Sequence, residues 1–260
     1  MMVSIVITVK NESDSIAELL DSLLIQERPF EIIVVDANST DNTQDIVRDY
    51  EKRYKEVKLL VHGGSRGEGR NFGVSKAKGE IIAFTDGGCK ADRNWLKELK
   101  KKISEGFDVV AGKTIDVGPF QDVIERVKIE YKGYDITFPS CNLAYKRELF
   151  EKIGGFDTRL ITAEDIDLNL RAVDVGAKIG YNENAIIYRR TAEDIFHLIK
   201  QSFWYGYGRK QLTLKHGELW KYYSAKQTFL SHKSLVGTIR LVFGLLGYLI
   251  CMFTGGGMED

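Results

Sequence analysis

Apolar positions in the first hundred residues switch between two spacings. Val3 to Val9 is a short β-branched run that reads as a strand. Ser13 to Gln26 carries Ile16, Leu19, Leu20, Leu23 and Leu24 at helical spacing, with Ser15 and Glu18 placed for a capping box at its start. Glu31 to Asp36 is again continuous and β-branched. A helix over Thr43 to Tyr54 and strands over Val57 to His62 and Ile81 to Thr85 follow. Asp92 to Ser104 reads as a helix with Trp95, Leu96, Leu99 and Ile103 turned inward. Strands alternating with helices imply parallel βαβ units in an α/β domain.

Beyond Phe107 the pattern is mixed. Phe107 to Gly112 reads as a strand, Phe120 to Tyr131 as an amphipathic helix, and Ser140 to Ala144 as a short extended piece. Glu164 to Val175 is helical in spacing, Ile186 to Tyr188 strand-like, and Glu193 to Leu214 helical but interrupted by Gly206 and Gly208. Leu241 to Thr254 contains no charge, and extending it back to Leu235 adds only Arg240. A run of about 20 apolar residues is the length of a membrane span. The segment suits a short span, an interfacial helix or a buried core helix, with Lys233 and Arg240 on a cytoplasmic flank.

The 260 residues suffice for one large α/β domain, and a formal net charge of zero gives no bulk reason to expect nucleic acid as a partner. Cys89, Cys141 and Cys251 form no CxxC pair, which argues against a disulfide scaffold or structural zinc. The N-terminus reads as a first strand rather than a signal peptide, so a reducing cytoplasmic location is the expectation.

In open α/β sheets ligands bind beyond the carboxyl ends of the strands. Here those ends carry Thr8-Val9-Lys10-Asn11-Glu12, Asp36-Ala37-Asn38-Ser39-Thr40-Asp41 and Thr85-Asp86-Gly87-Gly88, so three polar or acidic ends are expected to meet in one crevice. Together with SIVITVKNE, VVDANSTDNT, the glycine-rich stretch Ser65 to Gly73, GEIIAFTDGGC, and NLAYKRELFEKIGGFD followed by EDIDLNLR, in that order, they make the chain from Val3 to about Arg190 resemble the family-2 glycosyltransferases. The resemblance implies a GT-A-like, Rossmann-related central mixed sheet flanked by helices, with a C-terminal helical, membrane-associated extension. Its implied division is a catalytic domain over 1–190 (nucleotide half about 1–112, acceptor half about 113–190), a helical extension over 191–232 and an apolar tail over 233–260.

It also implies inverting transfer of a sugar from a nucleoside diphosphate sugar, a UDP-sugar first, to a hydroxyl of a lipid-linked or saccharide acceptor. The setting would be cell-envelope or glycolipid synthesis at the cytoplasmic side of the cell membrane, the protein being peripheral or held by a short C-terminal anchor. Thr8, Lys10, Glu12, Asp36 and Ser39 would frame the nucleotide; for Asp36 the alternative is a turn or helix cap. Arg66, Arg70 and Asn71 lie in a Gly-rich stretch before a short helix, and arginine suits a diphosphate because its fork is planar and always charged. Asp165, beside Glu164, takes the place of the general base, or alternatively both cap a helix whose dipole favours acids. Gly154 to Asp157 would form a turn toward the acceptor side. Cys141 and Asn142 would line the donor sugar, and Trp204 and Arg209 in the aromatic, basic stretch Phe203 to Lys210 would meet sugar, diphosphate or lipid headgroup.

The family's metal motif, Asp-x-Asp, holds Mg²⁺ or Mn²⁺ on the diphosphate. In this chain Asp86 and Gly87 are followed by Gly88, and Tyr188-Arg189-Arg190 stands where a family histidine is expected. Waters and phosphates could complete a cation's shell, or Arg189, Arg190 or Arg209 could replace part of its charge. Two other classes compete: a nucleotide-sugar-binding subunit that has lost catalysis, and a sugar-phosphate nucleotidyltransferase. The second is disfavoured because no glycine-rich loop follows the first strand.

Overall fold

The computed structural model describes residues 1–120, 127–217, 219–222 and 234–257. Among the described residues ten strands form: β1 (Val3–Val9), β2 (Phe30–Asp36), β3 (Val57–Val61), β4 (Ile81–Asp86), β5 (Cys89–Ala91), β6 (Val109–Val117), β7 (Glu130–Tyr131), β8 (Tyr134–Asp135), β9 (Leu143–Lys146) and β10 (Ile179–Arg190). The helices are α1 (Ile16–Leu24), α2 (Thr43–Arg53), α3 (Arg66–Lys76), α4 (Trp95–Ser104), α5 (Arg147–Lys152), α6 (Glu164–Asp174), α7 (Ile195–Lys215) and α8 (Leu235–Thr254).

Eight strands make one sheet in the order β3-β2-β1-β4-β9-β6-β10-β5, and β7 with β8 forms a separate hairpin. β1, β2 and β4 are continuous apolar runs because helices cover both faces. Alternate residues of β1 face opposite sides: Val3, Ile5, Ile7 and Val9 pack with α1, α2 and α4, whereas Val6 packs with α3, α5 and α6. The register pairs Val9 with Asp36 and Thr8 with Asp86, which sets the three acidic or polar strand ends in one row. α3 lies close on that row, since a methyl group at Gly69 would come within 3.0 Å of Thr8 Cγ2.

The structure revises several local expectations. The sheet is mixed, because β9 runs antiparallel between β4 and β6, and β5 antiparallel beside β10. Ser15 forms no capping box: its hydroxyl donates to Glu12 Oε2 at 2.6 Å. A capping box forms instead at Ser65 and Glu68, so the glycine-rich stretch is itself the start of α3. In the helix expected over Phe120 to Tyr131, 121–126 lie outside the described residues, and Glu130 and Tyr131 are strand. Ser140–Asn142 is a 3-10 turn, with extended backbone only from Leu143. α7 runs uninterrupted through Gly206 and Gly208.

Those glycines mark contacts. The backbone of Gly244 on α8 touches Gly206, and the backbone of Phe203 on α7 touches Gly247, leaving no room for a methyl at either glycine. α7 and α8 therefore pack backbone to backbone, the close approach that small residues allow. α8 meanwhile leaves Val242, Leu245, Leu246, Leu249, Ile250, Met252 and Phe253 exposed.

Candidate active site

The β1–α1 and β2–α2 loops are tied together. Asn11 N–H donates to Ser39 Oγ and Glu12 N–H to Thr43 Oγ1, both at 2.8 Å, while Thr40 N–H donates to Asn11 Oδ1 at 2.8 Å. Asn11 and Asn38 adopt left-handed φ of 56° and 57°, a conformation that asparagine tolerates. Asp36 is fully buried and accepts from Ser39 N–H at 2.9 Å, Ser39 Oγ–H at 2.5 Å and Gln44 Nε2 at 2.7 Å. Its observed work is thus to shape the loop, the turn role weighed from sequence. Thr8 sits in the row between Val35 and Asp86, and Lys10 is exposed beyond it.

The centre of the site is Arg70. Its side chain is 1% exposed, with Nη1 2.7 Å from Glu164 Oε1 and Nη2 2.8 Å from Asp86 Oδ1. The guanidinium also lies over the Phe156 ring at 5.2 Å. Arg70, expected at the nucleotide, is turned inward and clamps the two carboxylates. Asn71 likewise turns inward, donating to Phe156 O at 2.8 Å and accepting from Phe156 N–H at 2.9 Å, which fixes the Gly154–Asp157 turn. Burial alone would raise the Asp86 carboxyl, but Arg70, then Arg66 and Arg189, hold it below the usual carboxylate range.

Asp165, the next residue after Glu164, behaves oppositely. Burial, then the neighbouring Glu164 charge, push its carboxyl up to about 6 against the pull of Arg70, the Ser140 N–H and Arg209. Ser140 N–H donates to its Oδ2 at 3.2 Å. The residue that introduces this helix, Ala163, is left-handed at φ 64°. α7 holds that strained turn in place. Thr162 Oγ1 donates to Trp204 O at 2.8 Å, Gly208 has Thr162 packed on its bare Cα, and Ile161 N–H donates to Gln211 Oε1 at 3.0 Å. Lys215 Nζ bridges Asp157 and Asp167 at 2.6 Å each.

Glu12 is half-buried beside Gly87, whose added Cβ would lie 2.7 Å from Glu12 Cγ. Burial raises the Glu12 carboxyl; the Ser15 hydroxyl bond opposes this, and the Asp86 charge adds to it. Cys141 and Asn142, expected at the donor sugar, are both buried. Asn142 is fully buried, donating to Lys113 O and Ala185 O at 3.0 Å and accepting from Trp95 Nε1 at 2.8 Å, so its amide locks α4, β6 and β10 together. Cys141 is 1% exposed, packed among Thr114 and Arg189. Trp204 stacks edge-on against Phe203 and Tyr207, and Arg209 acts on Asp165. Asp116, Thr162 and Gln211 also lie in this region and were not singled out from sequence, since nothing local distinguishes them; Arg240 was read only as a flank of the apolar segment.

A hard divalent cation asks for several oxygen ligands. Among the described residues no group of three or more His, Cys, Asp or Glu side chains comes together to hold one. Asp86 has one oxygen on Arg70, Glu12 has one on Ser15, Gly88 brings no carboxylate, and Tyr188 brings no imidazole. This donor set does not fit a cation held by the protein.

A mixed sheet with helices on both faces and carboxylates gathered at its strand ends is the GT-A architecture of glycosyltransferases. Solved structures agree in fold: S. aureus TarS (residues 1–349) in complex with UDP-GlcNAc has a TM-score of 0.62 at 19% identity, covering 98% of this chain and 91% of that one. The mannosyltransferase PcManGT from Pyrobaculum calidifontis, in complex with GDP-Man and Mn²⁺, has a TM-score of 0.62 at 18% identity, covering 99% and 76%. The chain belongs to the family described as Glycosyl transferase family 2, whose model matches residues 4–159. It is 28% identical over 227 residues to the glycosyltransferase AglE of Haloferax volcanii, covering 81% of this chain and 73% of that protein. It is 32% identical over 212 residues to a poly(ribitol-phosphate) beta-glucosyltransferase of Bacillus spizizenii, covering 76% of this chain but only 33% of that protein.

Proposed function

We propose that the protein transfers a sugar from a nucleoside diphosphate sugar, a UDP-sugar in the first instance, to a hydroxyl of a lipid-linked or saccharide acceptor, with inversion. The observation that carries this reading is the opposed tuning of adjacent carboxylates: Asp86 is held ionised by Arg70, while Asp165 is pushed up to about 6. A base of that strength suits deprotonation of an acceptor hydroxyl near neutral pH. Asp165 would take the proton as the hydroxyl oxygen attacks the anomeric carbon and the nucleoside diphosphate leaves from the opposite face. Glu164, fixed on Arg70, keeps Asp165 oriented and its proton affinity high. No step is routed through a metal.

The UDP-GlcNAc complex of TarS supports a uridine donor. A location at the cytoplasmic side of the cell membrane is supported by α8, whose 20 residues correspond to about 30 Å of helix and whose outer face is apolar. The test is turnover of UDP-, GDP- and dTDP-sugars by the native chain and by Asp165→Asn. One donor should be consumed, its product should carry the inverted anomeric configuration, and the variant should lose roughly 10²–10⁴-fold in rate. A variant as active as the native chain would remove Asp165 from the chemistry.

A further inference from the structure

Resting on the nucleotide-sugar reading above, we propose that the donor diphosphate is gripped by Arg66, Arg189 and Arg240 in place of a divalent cation, so that α8 completes the donor site. The three side chains come from three separate elements. Arg66 is the exposed first residue of α3 and acts on both Asp86 and Glu12. Arg189 lies near the end of β10 and acts on Asp86; its fork is fixed by Asp116 of the neighbouring strand, Nε to Oδ1 at 2.8 Å and Nη2 to Oδ2 at 3.1 Å. Arg240 comes from α8. Arg66 lies one turn before Arg70, which holds Asp86, and Arg240 lies one turn before Gly244, whose backbone touches Gly206 beside Tyr205; all three arginines act on Tyr205.

Arg240 is the informative member. It is the single charged residue in Leu235–Thr254, a mostly apolar helix. Among the described residues it makes no hydrogen bond and no ion pair, although Arg189, a like charge, is within electrostatic reach. Two neighbouring guanidinium groups, one unpaired, disfavour each other until an anion sits between them. Arg66 is likewise without a hydrogen-bonded or ion-paired partner among the described residues, and Arg189 keeps N–H groups beyond those on Asp116. Guanidinium forks match phosphate oxygens with paired hydrogen bonds and carry permanent charge, so they can offset the charge developing on the leaving diphosphate. The absent second aspartate at Gly88 then has a reason. A carboxylate there would compete with the diphosphate for these arginines, and no cation needs it. Arg190 is not part of the grip; it pairs with Glu18 at 3.0 Å on the outer edge.

Phosphate could also arrive on a lipid-linked acceptor, given the apolar outer face of α8. Calorimetric titration separates the two sources. UDP, GDP, uridine and a soluble prenyl phosphate are each titrated into the full chain, with EDTA or with Mn²⁺, and into Arg240→Gln and Arg66→Gln, whose thermal midpoints are first matched to the native protein. The expected result is that a nucleoside diphosphate binds equally well in EDTA and Mn²⁺, that each variant weakens it roughly tenfold or more, and that uridine is unaffected. Binding that needs Mn²⁺ overturns the arginine grip and leaves the donor reading standing. Loss confined to the prenyl phosphate also overturns it, by reassigning Arg240 to the acceptor. If no nucleotide binds under either condition, the donor reading itself fails.

Discussion

Asp165→Asn should remove a loss of stability that sets in as pH rises from about 4 to about 6, while lowering the rate of transfer. A rise of the Asp165 carboxyl from 3.8 to about 6 means that folding disfavours its charged form. At about 1.4 kcal/mol for each tenfold change, the penalty is about 3 kcal/mol when fully expressed. The residue is half-buried rather than sealed, and solvent screening reduces this to about 1–2 kcal/mol. The sign follows from linkage. Below pH 3.8 the carboxyl is protonated in both folded and unfolded chains and the penalty is absent. Between 3.8 and about 6 the unfolded chain loses its proton first, so stability falls as pH rises, and above about 6 the full penalty persists. Asparagine carries no charge and feels none of this. Urea unfolding of both proteins at pH 4, 5, 6, 7 and 8 isolates the effect, because any fixed cost of the changed hydrogen bond to Ser140 cancels in the pH dependence. The stability of the variant relative to the native chain should climb by about 1–2 kcal/mol between pH 4 and pH 7. A flat difference, or one that falls, would refute the assignment of an uphill ionisation to Asp165.

Two further perturbations test the supports of the site. Arg70→Leu leaves Asp86 and Glu164 without their shared cation, and removing one partner of such a buried network costs about 3–5 kcal/mol; a loss under about 1 kcal/mol in denaturant unfolding would show that the clamp is not structural. Gly208→Ala drives a methyl group into Thr162 and displaces the turn that sets Asp165. It should lower kcat at least about tenfold while donor affinity changes little, since a small misplacement of a catalytic group costs that much or more; an unchanged kcat in steady-state assays would sever α7 from the chemistry.

The elements nearest the site were legible because they follow a single period. β1 was read to its true ends, and all four inward residues of α4 are buried. Asp165 and Asp86 stand out in the sequence because strand ends and helix starts have local signatures. The S-x-x-E pattern shows where local reading stops. At Ser15 it failed because the hydroxyl is drawn to Glu12; at Ser65 it was realised, but Gly67 and Gly69 disguised the helix. Only the packing of α3 against the sheet explains glycine in the body of that helix. β10 was read over three residues and runs over twelve, because the polar stretch Asn182 to Asn184 sits at a register shift and breaks the apolar pattern. The Arg70 clamp joins residues 94 positions apart, and no spacing rule reaches that far.

The same distance explains why the C-terminal helices looked like an appendage in the sequence and are not one in the fold. Asp165 depends on a turn that contains a left-handed alanine, a conformation costing of order 1 kcal/mol that the turn's own residues do not stabilise. The groups that hold it, Trp204 O, the bare Cα of Gly208 and the Gln211 amide, all lie on α7. α7 is in turn held by α8 through Gly206 and Gly247, where only bare backbone fits. Gln211 closes the circuit, donating to Arg159 O at 3.2 Å and to Gly256 O at 2.7 Å, one on each side of the catalytic turn and the apolar helix. The position of Asp165 is therefore set by the helix pair that presents an apolar face outward. If Asp165 is the base proposed above, one set of contacts both aligns that carboxylate and seats the outer helix, so that an acceptor arriving along the apolar face would meet a carboxylate already in position.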